Sequence, residues 1–166
     1  LCFTCDPYPT GYDTSTTREI IKLLKSYGNH IQILTKGNGH RDIDLLDKDD
    51  WYGITIDGTR KKHDLNRIWK GNGPERGSYD DVVRNIPLWQ SQFPGDGTKV
   101  TISSADIPYI CESVLHLYDL GIHQVNINCV FEDVWSEGDD LRFEEQLMQL
   151  ADAIIDNNLY LENACS

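Results

Sequence analysis

The sequence predicts an α/β fold in which about five parallel strand–helix units form a partial (β/α) barrel. Two observations predict it. Short apolar runs alternate with stretches whose apolar residues recur at helical spacing, and clusters of turn-forming residues separate them. Strands that alternate with helices pair in parallel through right-handed crossovers. A doubly wound open sheet fits the same alternation, so both arrangements stay open at this point.

The strands are predicted from apolar runs, and the helix starts are predicted from capping residues. The predicted strands are residues 1–5, 31–34, 51–56, 100–102 and 125–130. Helices are expected to begin near Thr16 or Thr17, near Ser78 and near Ser104, because these side chains suit an N-cap. The last helix is expected to follow Gly138.

Helical spacing also predicts which side chains face inward. In the first helix the predicted inward residues are Ile20, Leu23, Leu24 and Tyr27. In the last helix they are Leu147, Leu150, Ala151, Ile154 and Ile155. Residues 59–77 are polar and rich in glycine, and they are interpreted as a long loop, a class of segment that is often functional.

Length and composition suit one truncated domain over residues 1–166. With 15 Lys and Arg against 27 Asp and Glu, the formal net charge is −12, which argues against binding to nucleic acid or to membranes. The five Cys are irregularly spaced, so a cytoplasmic protein is expected rather than a secreted disulfide framework. The chain begins at Leu1, in what is interpreted as the middle of a buried strand, so we expect the domain to be truncated there.

Polar residues follow every predicted strand. In parallel α/β folds, catalytic and binding groups gather at these C-terminal strand ends. The residues concerned are Asp6, Thr35, Lys36, Thr55, Asp57, Ser103, Ser104, Asn128 and Glu132. Carboxylates suit an ammonium group and ribose hydroxyls, whereas Lys and Ser suit a carboxylate. The set therefore predicts a small ligand that carries all three groups.

Other patterns are interpreted as structural, and no metal ligands are predicted. Cys2 and Cys5 have the spacing of a metal or redox pair, but they lie on a predicted strand, where side chains three residues apart point to opposite faces. Asp47, Asp49 and Asp50 lack the ligand spacing of a calcium-binding loop. The five His are scattered and form no zinc-protease pattern.

Several short segments resemble the core of the radical S-adenosylmethionine (SAM) enzymes, from the second strand of that core onward. In the first half, the segments Asp6-Pro7-Tyr8-Pro9 and Leu34-Thr35-Lys36-Gly37 are similar to the spore-photoproduct-lyase-like branch. The second half is similar to peptide maturases with a SPASM extension. Its segments are Ile56-Asp57-Gly58-Thr59, Lys62-His63-Asp64-Leu65-Asn66-Arg67, residues 100–104 and Glu132-Asp133-Val134-Trp135. The resemblance extends over nearly the whole chain, although each of these segments is short.

The resemblance implies a partial barrel of the TIM-barrel type that holds SAM and a [4Fe–4S] cluster. In such enzymes the cluster donates an electron that cleaves SAM, and a 5′-deoxyadenosyl radical abstracts a hydrogen from the substrate. The implied SAM contacts are Asp6 to Pro9 for the amino group, Thr55 and Asp57 for the ribose and carboxylate, and Ser103 and Glu132 at later strand ends. The second half implies a peptide substrate. The first half implies a nucleic-acid lesion, against which the net charge of −12 argues.

The sequence lacks the family's Cys-x3-Cys-x2-Cys loop, whose three thiolates bind the cluster. Cys2 and Cys5 fall on the second strand without a third partner, so they cannot replace it. We therefore expect a fragment of a peptide-modifying radical SAM enzyme that is inactive alone. One alternative is a non-catalytic α/β binding or interaction domain, which would associate through the strand edge left unpaired. Another is a hydrolase or isomerase with Asp57 and Glu132 as an acid–base pair.

Overall fold

The computed structural model describes residues 6–9, 11–33, 35, 39–69, 75–132 and 134–159. Residue contacts divide the chain into two compact units. The first unit comprises Leu1–Gly53 and Leu88–Asp96, and the second comprises Ile54–Pro87 and Gly97–Ser166. Within the described residues, no helix combines the length and the apolar composition needed to cross a lipid bilayer.

The first unit contains helix α1 (Ser15–Ser26), strand β1 (Gln32–Ile33), a 3-10 helix (Gly39–Leu45) and strand β2 (Trp51–Tyr52). The two strands pair in parallel, with Gln32 opposite Trp51 and Ile33 opposite Tyr52. The unit has a small apolar core. Its buried members are Tyr8, Ile21, Ile31, Ile33, Leu46, Trp89 and Phe93.

Helix α1 does not bury the face that its apolar spacing predicts. Ile21 is fully buried, whereas Ile20, Leu23 and Tyr27 are exposed. Arg18 and Lys25 lie three residues before and four residues after Ile21, on the same side of the helix. Arg18 pairs with Asp42 at 2.9 Å, and Lys25 pairs with Asp50 at 2.6 Å. Both carboxylates are buried, so ion pairs rather than apolar spacing decide which side of α1 faces inward.

The second unit begins with helix α2 (Arg60–Asn66), strands β3 (Ile68–Trp69) and β4 (Arg76–Gly77), and helix α3 (Tyr79–Gln92), whose last residues belong to the first unit. Strand β5 (Thr98–Ile102), a 3-10 helix (Ser104–Tyr109), helix α4 (Ile110–Asp119), strand β6 (Val125–Cys129) and helix α5 (Asp139–Asp156) follow. Strands β5 and β6 are parallel, from Thr98 opposite Val125 to Ile102 opposite Cys129.

The apolar core of the second unit lies around β5 and α4. Its buried members include Ile56, Val100, Ile102, Ile107, Ile110, Val114, Leu117, Ile122, Val125 and Leu150. One side chain of β5, that of Thr98, holds residues 54–56 against the strand. The Thr98 hydroxyl accepts a hydrogen bond from the Ile56 amide at 3.2 Å and donates one to the Ile54 carbonyl at 3.0 Å. Of the predicted strand 51–56, only Trp51–Tyr52 forms a strand in the structure, β2.

The interpretation of residues 59–77 as a long loop is wrong. Thr59 caps α2 by accepting a hydrogen bond from the Lys62 amide, and β3 and β4 pair antiparallel, with Ile68 opposite Gly77. The side chains that α2 buries are Lys62 and His63. Since these residues are polar, a search for apolar periodicity does not detect the helix.

The inward face predicted for α5 is also partly wrong. Leu150 is buried, but Leu147, Ala151 and Ile155 are exposed. Helix α5 packs against α4 and against the 3-10 helix Ser104–Tyr109. Strands β5 and β6 are parallel, and helix α4 provides the crossover connection that a parallel pair needs. The partial (β/α) barrel itself stays a prediction.

Candidate functional site

A group of buried charges lies at the C-terminal end of residues 54–56, in the second unit. Asp57 is buried, and its Oδ1 accepts a hydrogen bond from the Thr101 amide at 3.1 Å. The Arg67 guanidinium donates to the same carboxylate, through Nε to Oδ2 and through a longer bond of 3.4 Å from a terminal nitrogen to Oδ1. The predicted strand-end carboxylate is therefore held by a strand amide and by a cation.

Lys62 is the second member of this group, and only 1% of its surface is exposed. Its Nζ donates a hydrogen bond to the Thr101 carbonyl at 2.6 Å. The same nitrogen lies 3.7 Å from Asp106 Oδ1 and 4.0 Å from Asp57 Oδ1. Burial lowers the pKa of Lys62, while the two carboxylates act in the opposite direction. Lys62 and Arg67 thus balance two buried carboxylates.

Asp106 connects the group to the predicted site residue Ser103. Its Oδ2 accepts hydrogen bonds from the Ser103 amide at 2.9 Å and from the Ser103 hydroxyl at 2.6 Å. Through these two bonds Asp106 caps the 3-10 helix, which begins at Ser104. The sequence predicted Ser104 as the cap, one residue too late. We name the set Asp57, Lys62, Arg67 and Asp106 the charge cluster.

His63 lies beside the charge cluster and is completely buried. Its Nδ1 accepts a hydrogen bond from the Asp57 amide at 3.1 Å, and its Nε2 lies 2.9 Å from the Ser78 hydroxyl. Because that hydroxyl donates its own hydrogen to the Arg67 carbonyl at 2.9 Å, Nε2 must carry the proton. The ring is thus a neutral imidazole with one assigned tautomer, and burial lowers the pKa of His63.

Acid is expected to destabilise the protein through His63. The folded-state pKa lies below the ordinary value of 6.5, so the unfolded chain binds this proton first. Above pH 6.5 the protonation of His63 costs no stability. As the pH falls from there toward the folded-state pKa, the free energy of unfolding decreases by up to about 1.4 kcal/mol per pH unit. Urea unfolding at a series of pH values measures it. His63→Asn should remove this slope, and His30→Asn, at an exposed position, should keep it.

In the first unit, the loop at residues 6–9 is held by several hydrogen bonds. Asp6 Oδ1 accepts from the Tyr8 amide at 2.8 Å and from the Thr35 hydroxyl. The Tyr8 hydroxyl donates to Asp42 at 3.1 Å, and burial together with that carboxylate raises the pKa of Tyr8. The Thr17 hydroxyl donates to the Pro7 carbonyl at 2.6 Å. The loop is therefore tied to α1 and to the following segments.

The predicted site residues fall into separate groups. Asp6 and Thr35 are in direct contact in the first unit, with Pro7, Tyr8 and Pro9 beside them. Asp57 and Ser103 are joined through Lys62 and Asp106 in the second unit. Thr55 and Glu132 are exposed, and neither belongs to the charge cluster. Lys36 lies outside the described residues.

Four residues of the site do not follow a predicted strand directly, so the strand-end pattern does not identify them: Lys62, His63, Arg67 and Asp106. One signal for Asp106 is present, because Ser103 followed three residues later by an acid is a capping-box pattern. No local signal identifies Lys62, since its carbonyl partner Thr101 lies 39 residues away.

Within the described ranges, no group of three or more His, Cys, Asp or Glu side chains could hold a metal ion. Cys111 and Cys129 are free thiols, and Cys2, Cys5 and Cys165 fall outside those ranges. A comparison of the chain with known protein families, curated proteins and solved structures found no match. Its function is therefore inferred from its own residues.

Proposed function

We propose that this chain is the core fragment of a radical SAM enzyme and that it binds SAM through residues at its strand ends. The parent would be a peptide-modifying maturase, in which SAM cleavage yields a 5′-deoxyadenosyl radical. The observation that carries the proposal is the hydrogen bond from the Thr35 hydroxyl to Asp6 Oδ1. Two predicted strand ends, 29 residues apart in sequence, thereby meet at one carboxylate.

Asp6 is the residue assigned to the SAM ammonium group. A carboxylate can accept about four hydrogen bonds, and charge-assisted bonds to an ammonium group are stronger than neutral ones. The contacts from Tyr8 and Thr35 fix the orientation of this carboxylate. The described residues offer no ligand set for an iron–sulfur cluster, so no chemical step is assigned to one in this chain.

Titration of the chain with SAM, followed by calorimetry, tests this assignment. The Asp6→Asn variant should bind SAM at least about tenfold more weakly, because it loses a charge-assisted hydrogen bond of about 1.5–3 kcal/mol. The matched control is Asp49→Asn, whose exposed carboxylate pairs only with Lys48 among the ion pairs described. It should leave the affinity unchanged. Absence of binding at millimolar SAM, or equal losses in both variants, would contradict the proposal.

A second candidate function is a non-catalytic α/β binding or interaction domain. It is favoured by the charge cluster, because Asp57 is occupied by Arg67 and by the Thr101 amide. A carboxylate with such partners stabilises the fold rather than a ligand. Failure to bind SAM, together with an iron content near zero after anaerobic reconstitution with iron and sulfide, would favour this candidate. Roughly four irons per chain would instead show a bound [4Fe–4S] cluster.

A further inference from the structure

Helix α5 carries apolar residues on two opposite sides. One side packs against α4 and the 3-10 helix Ser104–Tyr109, where Leu150 is buried. On the other side Leu141, Met148 and Ile155 are 66%, 62% and 62% exposed. An amphipathic surface helix normally directs polar residues outward. The line of large apolar residues opposite the buried side departs from that pattern, and exposed apolar residues that lie together occur at interaction surfaces.

The three exposed residues form one stripe. They are seven residues apart, and seven residues make nearly two helical turns, so the side chains lie almost in line. From Leu141 to Ile155 the stripe extends about 21 Å, at 1.5 Å per residue. A coiled-coil seam has two apolar positions in each seven-residue repeat, a and d, and this stripe fills one of them. The methionine at its centre has a flexible thioether that adapts to the shape of a partner.

Acidic side chains interrupt the stripe. Glu144 and Glu145 lie three and four residues after Leu141, and Asp152 lies four residues after Met148, so all three share the exposed side. We call this surface the acid–apolar face. Its members are Leu141, Glu144, Glu145, Met148, Asp152 and Ile155. The single basic residue of α5 is Arg142, which pairs with Asp139 away from the stripe.

We infer that the acid–apolar face binds an amphipathic helical segment of another protein, with an apolar stripe flanked by Lys and Arg. The apolar stripe supplies burial, and the acids select partners of opposite charge. A second copy of this chain would bring the same acids against each other, which disfavours self-association. The negative charge also disfavours nucleic acid and anionic lipid.

Two synthetic helical peptides test the inference. Each has about 20 residues, which matches the stripe, with Leu at the a and d positions of a heptad. One carries Lys at the e and g positions and the other carries Glu there. Fluorescence anisotropy with the whole chain should show at least about tenfold tighter binding of the Lys peptide. High salt should weaken that binding, since exposed charges are screened.

Variants locate the binding surface. Met148→Ser should weaken binding of the Lys peptide roughly tenfold, because truncation of a central apolar contact removes buried area. Leu23→Ser changes an equally exposed apolar residue on α1 and should leave binding unchanged. Equal affinity for both peptides, or equal effects of both variants, would overturn the inference. So would a dimer in sedimentation that Met148→Ser dissociates, because a second copy would then cover the face.

Discussion

Replacement of Lys62 by Met is expected to lower the free energy of unfolding by about 3–5 kcal/mol, the range for removing one partner from a buried ion pair. The variant leaves Asp57 paired with Arg67 alone, and it removes from Asp106 its ion pair within the charge cluster. It also leaves the Thr101 carbonyl without the hydrogen bond from Nζ. Methionine fills a similar volume, so the loss arises from charge and hydrogen bonding. Urea unfolding measures it.

Two further variants separate this effect from a general loss of a lysine. Lys61→Met removes a neighbouring exposed lysine that stacks on Tyr109, and it should cost less than about 1 kcal/mol. The double variant Lys62→Met with Asp106→Asn removes one charge of each sign and retains the Asp57–Arg67 pair. It should be more stable than Lys62→Met alone. If both lysine variants had equal effects, the charge cluster would not determine stability.

Gly58→Ala is expected to destabilise the protein by roughly 2–6 kcal/mol, because the added methyl group would strain the backbone and would also overlap neighbouring atoms. Gly58 has φ of +113°, a conformation that other residues rarely adopt. A Cβ built there would lie 2.1 Å from the Ser113 Cβ and 2.7 Å from the Ser113 Cα. The backbone after Asp57 therefore lies directly against helix α4, and only glycine allows this approach. Chemical denaturation measures the loss.

Gly95→Ala provides the matched control. Gly95 has φ of +89°, but no atom lies within 4 Å of the place that a Cβ would occupy. This variant should show strain alone, at about 1–2 kcal/mol. The difference between the two variants then measures the close approach to α4. Equal losses would mean that Ser113 moves aside without cost, and the packing of Gly58 would need a different explanation.

Local patterns were sufficient for several elements. Helix α3 begins directly after Ser78, as its capping pattern predicts. Strands β5 and β6 fall within two residues of the predicted apolar runs. Each of these features depends on residues that are near in sequence.

The sequence by itself determined where most helices and strands form and that polar residues follow the strands. Tertiary structure alone decided which side of α1 faces inward, that α2 exists, and that Lys62 joins the charge cluster. The reason is physical. Apolar periodicity reports burial only when the buried residues are apolar, whereas a buried lysine requires partners from elsewhere in the chain. Its partners are Thr101 and Asp106, which only the folded chain brings to Lys62.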